Sequence, residues 1–191
     1  MRRDAKLRRD ALIAAAADSF AERGYSVPLD EVAARAGVGR GTLYRNFKDR
    51  EALALAIFEG EIDRIEATVA RQQDLRQSMI DLALGSGRGT ALFARIGAEL
   101  VADTENMAVF EALGDRLARA LTPLADRARA SGDLRNDIDG EKLSLTMRMV
   151  NSVYHELHKE TVGLGKLNEA LDLVLDGLRP RQISQTDILS G

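Results

Sequence analysis

The stretch LDEVAARAGVGRGTLYRNFKDREAL, from Leu29 to Leu53, decides how this chain is interpreted. Its glycines suit three structures: a loop that cradles a phosphate, a plain connection, or the turn between two short helices. The flanking residues favour the last of these, because LDEVAARA and RGTLYRN are each about two helical turns long and only GVG separates them. Gly37 can adopt the left-handed backbone conformation that such a turn needs.

The remainder of the 191-residue chain is predicted to be almost entirely helical. Alanine and leucine dominate, only three prolines occur, and no long segment alternates between apolar and polar residues. Apolar spacing and end signals predict helices at about 5–23, 28–36, 40–46, 50–72, 75–84, 89–102, 105–130, 139–161 and 166–178. We therefore predict an all-α protein, with a three-helix head over residues 1–48, a larger helical body over 49–180 and a polar tail over 181–191.

Composition narrows the classes of function. The absence of cysteine excludes disulfides and thiolate metal sites, and no apolar run is long enough to span a bilayer. The basic start lacks the pattern of a signal peptide, so we expect a cytoplasmic protein. Although the net charge is −3, residues 1–50 hold 11 Lys/Arg against 7 Asp/Glu (+4), and the rest holds 16 against 23 (−7). This asymmetry suggests that the head meets a polyanion and the body does not, with a chance distribution of charge as an equal alternative.

The second short helix has an inner and an outer face. Leu43 and Phe47 are four residues apart and are expected to point inward, which leaves guanidinium, amide, hydroxyl and phenol groups outside. Arginine can pair with guanine and asparagine with adenine in the major groove. The outer set is Arg40, Gly41, Thr42, Tyr44, Arg45 and Asn46, and Lys48 and Arg50 flank the start of the next helix, where phosphate is also favoured.

At these residues the sequence resembles the TetR-like (tetracycline-repressor) family of bacterial regulators. The resemblance covers about residues 8–55, including AERGY at the end of the first helix. It implies a homodimeric repressor that binds a palindromic operator of double-stranded DNA and is released by a small-molecule effector held in the body. By position it assigns the outer set as operator contacts and Arg50, with Lys48, as phosphate contacts. Val27 and Pro28 stand where many members carry a hydroxyl, which leaves Ser26 as the nearest one.

The body supplies candidate residues for the effector and for dimerisation. Soft apolar and polar side chains that could line a pocket are Met79, Phe93, Met107, Phe110, Met147, Tyr154 and His155, although each of the apolar ones could equally be plain core. Two apolar stripes on the last two helices suggest a four-helix dimer interface, with a packed monomer core as the alternative. The residues predicted for that interface are Leu143, Val150, Leu157, Leu167, Leu171, Val174 and Leu178.

Other readings of the sequence are weaker. Neither GVGRG nor GSGRG is the GxGxxG pattern of a dinucleotide site, and neither follows a predicted strand. The histidines at 155 and 158 do not form the H-E-x-x-H zinc motif. They could share a metal with a glutamate from elsewhere, but ordinary surface or pocket histidines are favoured, so we predict no metal and no cofactor. Nothing supplies a catalytic set, which argues against an enzyme. An architectural DNA binder and a basic N-terminal arm that touches DNA both stay open.

Overall fold

The computed structural model describes residues 2–85, 104–157 and 163–180, and in these segments the chain forms eight helices and no strand. The all-α fold class is therefore confirmed. The helices are α1 (Arg2–Arg23), α2 (Leu29–Arg35), α3 (Arg40–Asn46), α4 (Arg50–Arg71), α5 (Leu75–Gly85), α6 (Thr104–Ala130), α7 (Gly140–Leu157) and α8 (Gly163–Leu178). The helix predicted at 89–102 and the tail at 181–191 lie outside the described residues.

Local chemistry accounts for the helix ends in the head. Gly24 stops α1 with φ of +90°, and its amide donates to the carbonyl of Phe20 at 3.0 Å. Pro28 is the cap residue of α2 and not part of its first turn, a shift of one position from the prediction. The carboxylate of Asp49 accepts from the amide of Ala52 at 2.7 Å and so caps α4 as predicted.

One apolar core joins the head to the body. In the head it contains Leu12 and Phe20 of α1, Val32 of α2 and Leu43 of α3, all almost fully buried. It continues along α4, whose buried residues contact α1 on one side and α6 on the other. The helix α4 therefore contacts both the head and the body. The division of the chain at 48/49 and 180/181 stays a prediction.

Candidate nucleic-acid interface

The turn between α2 and α3 has the geometry that the glycine cluster predicts. Gly37 adopts φ of +68°, and its amide donates to the carbonyl of Ala34 at 3.0 Å, while the amide of Val38 donates to that of Ala33 at the same distance. A side chain at Gly37 would be strained by this conformation even though open space surrounds it. The turn therefore fixes the angle at which α3 leaves α2.

The two faces of α3 differ as the sequence predicts. Leu43 and Phe47 are buried and attach the helix to the head, whereas Arg40, Tyr44 and Arg45 are exposed. Gly41 is exposed as well, and Thr42 and Asn46 are half-buried. The helix thus presents two guanidiniums and a phenol to its surroundings on a short rigid support.

Contacts within α3 position the side chain of Arg45. The Nη2 group of Arg45 donates to the hydroxyl of Thr42 at 3.1 Å, and the amide of Asn46 donates to the Thr42 carbonyl at 2.8 Å. A Cβ added at Gly41 would lie 3.5 Å from a guanidinium nitrogen of Arg45, which is ordinary van der Waals distance. These contacts hold Arg45 along the outer face of the helix.

Arg40 and Tyr44 form a second group at the start of α3. The guanidinium of Arg40 lies 5.5 Å from the ring centroid of Tyr44 and 3.2 Å from the carboxylate of Asp30 on α2. Both partners of the ion pair are more than half exposed, so a phosphate or a base can compete for Arg40 at small cost.

The remaining predicted contacts occupy different environments. Ser26 is exposed in the α1–α2 connection, and Lys48 is exposed with its ammonium 3.7 Å from the carboxylate of Asp49. Arg50 differs because its guanidinium is half-buried: Nη1 donates to the carbonyl of Val27 at 2.6 Å and also to that of Tyr25. The structure therefore turns Arg50 inward, toward the head, and not outward like Lys48.

Ion pairs between α1 and α2 support the helix pair. Arg35 of α2 forms a bidentate pair with Glu22 at 2.6 and 2.8 Å, and Asp18 lies 3.5 Å away. The hydrogen bonds to Glu22 raise the pKa of Arg35 above its usual value. Arg23 bonds Glu31 on the same side. The sequence did not reveal these pairs, because each joins residues on different helices.

Arg9 is a further contact that sequence reasoning missed. Its guanidinium lies 4.8 Å from the ring centroid of Phe47, at the C-terminal end of α3. The two residues are 38 positions apart, so no local pattern could have paired them. The N-terminal part of α1 therefore lies beside the end of α3, and it is helical from Arg2 rather than from about residue 5.

Two arginines of α6 bond to the C-terminal half of α4. Arg116 donates to the carboxylates of Glu66 at 3.0 and 2.8 Å and of Asp63 at 2.6 Å, and these hydrogen bonds raise its pKa above the usual value. Arg127 donates to the carbonyls of Val69 and Gln72 at 2.9 and 3.0 Å, at the C-terminal end of α4. The C-terminus of a helix favours a cation because its last carbonyl groups lack partners within the helix and the helix dipole is negative there.

The residues predicted for the effector are not brought together by the described part of the structure. Met79 and Met147 are buried in the core, Phe110 packs edge to face on Phe58 with centroids 6.3 Å apart, and Met107 is exposed. Phe93 and the side chains of Tyr154 and His155 lie outside what is described. A cavity of about 680 Å³ lies between α4 and α6 and one of about 450 Å³ between α6 and α7, and of the four predicted residues whose side chains are described, none lines either one.

The residues predicted for the dimer interface lie mostly in the core of the subunit. Leu143, Val150, Leu167 and Leu171 are at most 2% exposed there, and their part in an interface stays a prediction. Val174 and Leu178 are partly buried against the same core, and the side chain of Leu157 is not described. The strongest apolar stripe of each helix is its core face, which is the alternative that the sequence left open.

A second, outward face of these helices is also apolar. Leu145 and Met149 of α7 are 51% and 57% exposed, and Leu173 of α8 is 73% exposed. Leu145 and Met149 are one helical turn apart, about opposite the buried stripe of α7. Leu173 likewise lies off the buried stripe of α8, which contains Leu171 and Leu175. We use the name outer apolar face for the three exposed side chains Leu145, Met149 and Leu173 together.

Within the described segments, no group of three or more His, Cys, Asp and Glu is arranged to hold a metal ion. None of the helices in those segments combines the length and apolarity needed to cross a membrane.

A helix pair with a glycine turn, an inward anchor and an outward basic face defines the class of helix-turn-helix DNA-binding proteins. Comparison with known proteins agrees. The sequence model described as "Bacterial regulatory proteins, tetR family" matches residues 12–57. A TetR transcriptional regulator from Streptomyces coelicolor, SCO0520, is 30% identical, with 91% of this chain and 99% of that one covered and a TM-score of 0.67. The chain belongs to the TetR family and is a DNA-binding transcriptional regulator, not an enzyme.

Other relatives extend this comparison. A TetR regulatory protein from Mycobacterium vanbaalenii is 26% identical over 94% of this chain and 99% of its own, with a TM-score of 0.64. The HTH-type transcriptional activator FasR of Mycolicibacterium smegmatis is 38% identical over 63 residues, which are 32% of this chain and only 29% of FasR. A Staphylococcus aureus regulator, SAUSA300_2515, is 36% identical over 64 residues, 35% of its length. The curated relatives thus share about a third of their length or less.

Proposed function

We propose that the chain acts as a cytoplasmic homodimeric repressor whose two α3 helices bind the half-sites of a palindromic operator. The observation that supports this most strongly is the exposed face of α3, where Arg40, Tyr44 and Arg45 project from a helix anchored by Leu43 and Phe47. In this proposal Arg45 contacts a base edge, because arginine offers two parallel donors to guanine. Gly41 allows close approach to the duplex.

The phosphate contacts of the proposal surround α3. Lys48 is exposed beside the N-terminus of α4, and Arg40 can exchange its exposed pair with Asp30 for a phosphate. Ser26 is exposed and is the hydroxyl available in the α1–α2 connection. Phosphate contacts release counterions, so affinity for DNA should fall steeply with salt concentration.

The dimer of the proposal uses the outer apolar face of α7 and α8. A two-fold axis beside this face would bury Leu145, Met149 and Leu173 of both copies, which form the same patch on each subunit. The proposal requires this dimer to hold the two α3 helices about 34 Å apart, the length of one DNA turn between successive major grooves.

Release by an effector is proposed to act through α4. Arg116 and Arg127 attach the body to α4, and the first residues of α4 contact the head. An effector that fits the body better when α4 is displaced would change the distance between the two heads. Equal affinity for both positions of α4 would shift nothing.

Two measurements test the proposal. Fluorescence anisotropy with a selected duplex should give an affinity that falls with salt, and a flat response would contradict the phosphate contacts. Transcription in vitro from a template that carries the site should decrease as protein is added. Increased transcription would instead indicate an activator, which is the role that the name of FasR gives to that relative.

A further inference from the structure

Arg50, the first residue of α4, is half-buried against the head. Its Nη1 group donates to the carbonyls of Tyr25 and Val27, which lie in the connection between α1 and α2. Its guanidinium carbon is 5.8 Å from the ring centroid of Phe20 and 5.4 Å from that of Tyr25. These two rings pack edge to face, with centroids 5.3 Å apart. The side chain therefore links α4 to the residues immediately before α2.

These contacts need the shape of arginine and not only its charge. A planar guanidinium can lie against rings while its N–H groups bond two carbonyls, whereas an ammonium is a compact point charge. Val27, one of the bonded residues, is buried, and Pro28 after it caps α2. A shift of Arg50 would thus displace the start of α2, and the turn at Gly37 would pass this displacement to α3.

The other end of α4 is attached to the body by Arg116 and Arg127, which bond its side chains and its terminal carbonyls. We infer that Arg50 is a positioning residue, which sets the position of the helix-turn-helix relative to α4 and does not hold a phosphate. This inference rests on the proposed operator binding, and it replaces the phosphate contact that the family resemblance assigned to Arg50.

The test compares Arg50→Lys with Lys48→Met on a selected operator and on a duplex of unrelated sequence. Arg50→Lys keeps the charge but loses the planar contacts. We expect it to lower operator affinity about tenfold, the effect of one lost interaction of ordinary strength. Affinity for the unrelated duplex and the salt slope should be unchanged. Lys48→Met, the matched control at an exposed cation, should lower both affinities and reduce the salt slope by about 0.9.

A purely structural defect would give a different result, because a smaller folded fraction lowers both affinities equally. Arg50→Met removes the charge as well and should behave like Arg50→Lys, again with the salt slope of the parent. Parent-like binding by Arg50→Lys, together with a salt slope reduced by about 0.9 in Arg50→Met, would overturn the inference and restore the phosphate contact.

Hydrogen exchange in the free protein tests the same contact without DNA. The amide of Val27 donates to the carbonyl of Gly24 at 3.3 Å, and that of Glu31 to Pro28 at 3.0 Å. Both amides should exchange faster in Arg50→Lys and at the parent rate in Lys48→Met. Unchanged exchange in Arg50→Lys would overturn the positioning role. A parent protein that selects no DNA sequence would instead refute the proposed function, while the exchange result would still stand.

Discussion

Substitution of Leu173 by glutamate should dissociate the proposed dimer. Leu173 is the most exposed of the large apolar residues in the described segments, at 73%, and belongs to the outer apolar face of α7 and α8. Full burial of a leucine is worth about 1.5–3 kcal/mol, so burial of its exposed part contributes about 1–2 kcal/mol. Two-fold symmetry repeats this contribution, which gives about 2–4 kcal/mol per dimer.

The dissociation constant of the dimer should therefore rise about 30- to 1,000-fold, before any cost of burying the new carboxylate. Sedimentation velocity over a concentration series measures it. Leu7→Glu is the matched control, because Leu7 is 60% exposed on α1, away from this face. Leu171→Glu should instead unfold the subunit, since Leu171 is completely buried. The same dissociation constant for Leu173→Glu and the parent would refute the interface.

Three further predictions concern stability. Phe47→Ala should cost about 3–5 kcal/mol in urea denaturation and abolish operator binding, since the buried ring anchors α3; full binding would contradict that role. Gly140→Ala should cost about 1–3 kcal/mol, because the new Cβ would lie 2.9 Å from a backbone nitrogen of α6, whereas Gly114→Ala, in open space, should not destabilise the protein. The hydrogen bond from Arg135 lowers the pKa of Asp137. The stabilisation that this hydrogen bond gives to the folded protein is present above the pKa of an unfolded aspartate, about 3.9. It is lost as the pH falls through the lower pKa of Asp137 in the folded state. Between pH 5 and 3, the Tm of Asp137→Asn should therefore fall less than that of the parent. An equal fall would contradict the contribution of the Asp137 carboxylate.

The sequence predicted those features of the head that depend on local chemistry. The bounds of α3 at Arg40 and Asn46, the left-handed Gly37 and the cap at Asp49 each follow from neighbouring residues. The stripe of α4 was also predictable, since Phe58, Ile62 and other members recur at helical spacing and are buried.

The environment of Arg50 could not be predicted, because its carbonyl partners lie 23 and 25 residues upstream and only the packing of α1 brings them near. The stripe predicted for the dimer interface raises a different point. Periodicity identifies the most apolar face of a helix, and in α7 that face is filled by the core of its own subunit at Leu143 and Val150. A smaller second face, with Leu145 and Met149, gives only a weak periodic signal.

The selection of bound duplexes from random DNA, with the parent and with Arg45→Ala, tests the central claim most directly. The parent should enrich a two-fold symmetric sequence with half-site centres about 10 base pairs apart, or a little more. Arg45→Ala should lose preference at one base pair in each half-site, at a cost of about 1–3 kcal/mol on the parent's site. No enriched sequence from the parent, or the same sequence with equal preference from Arg45→Ala, would contradict the claim that α3 reads the operator.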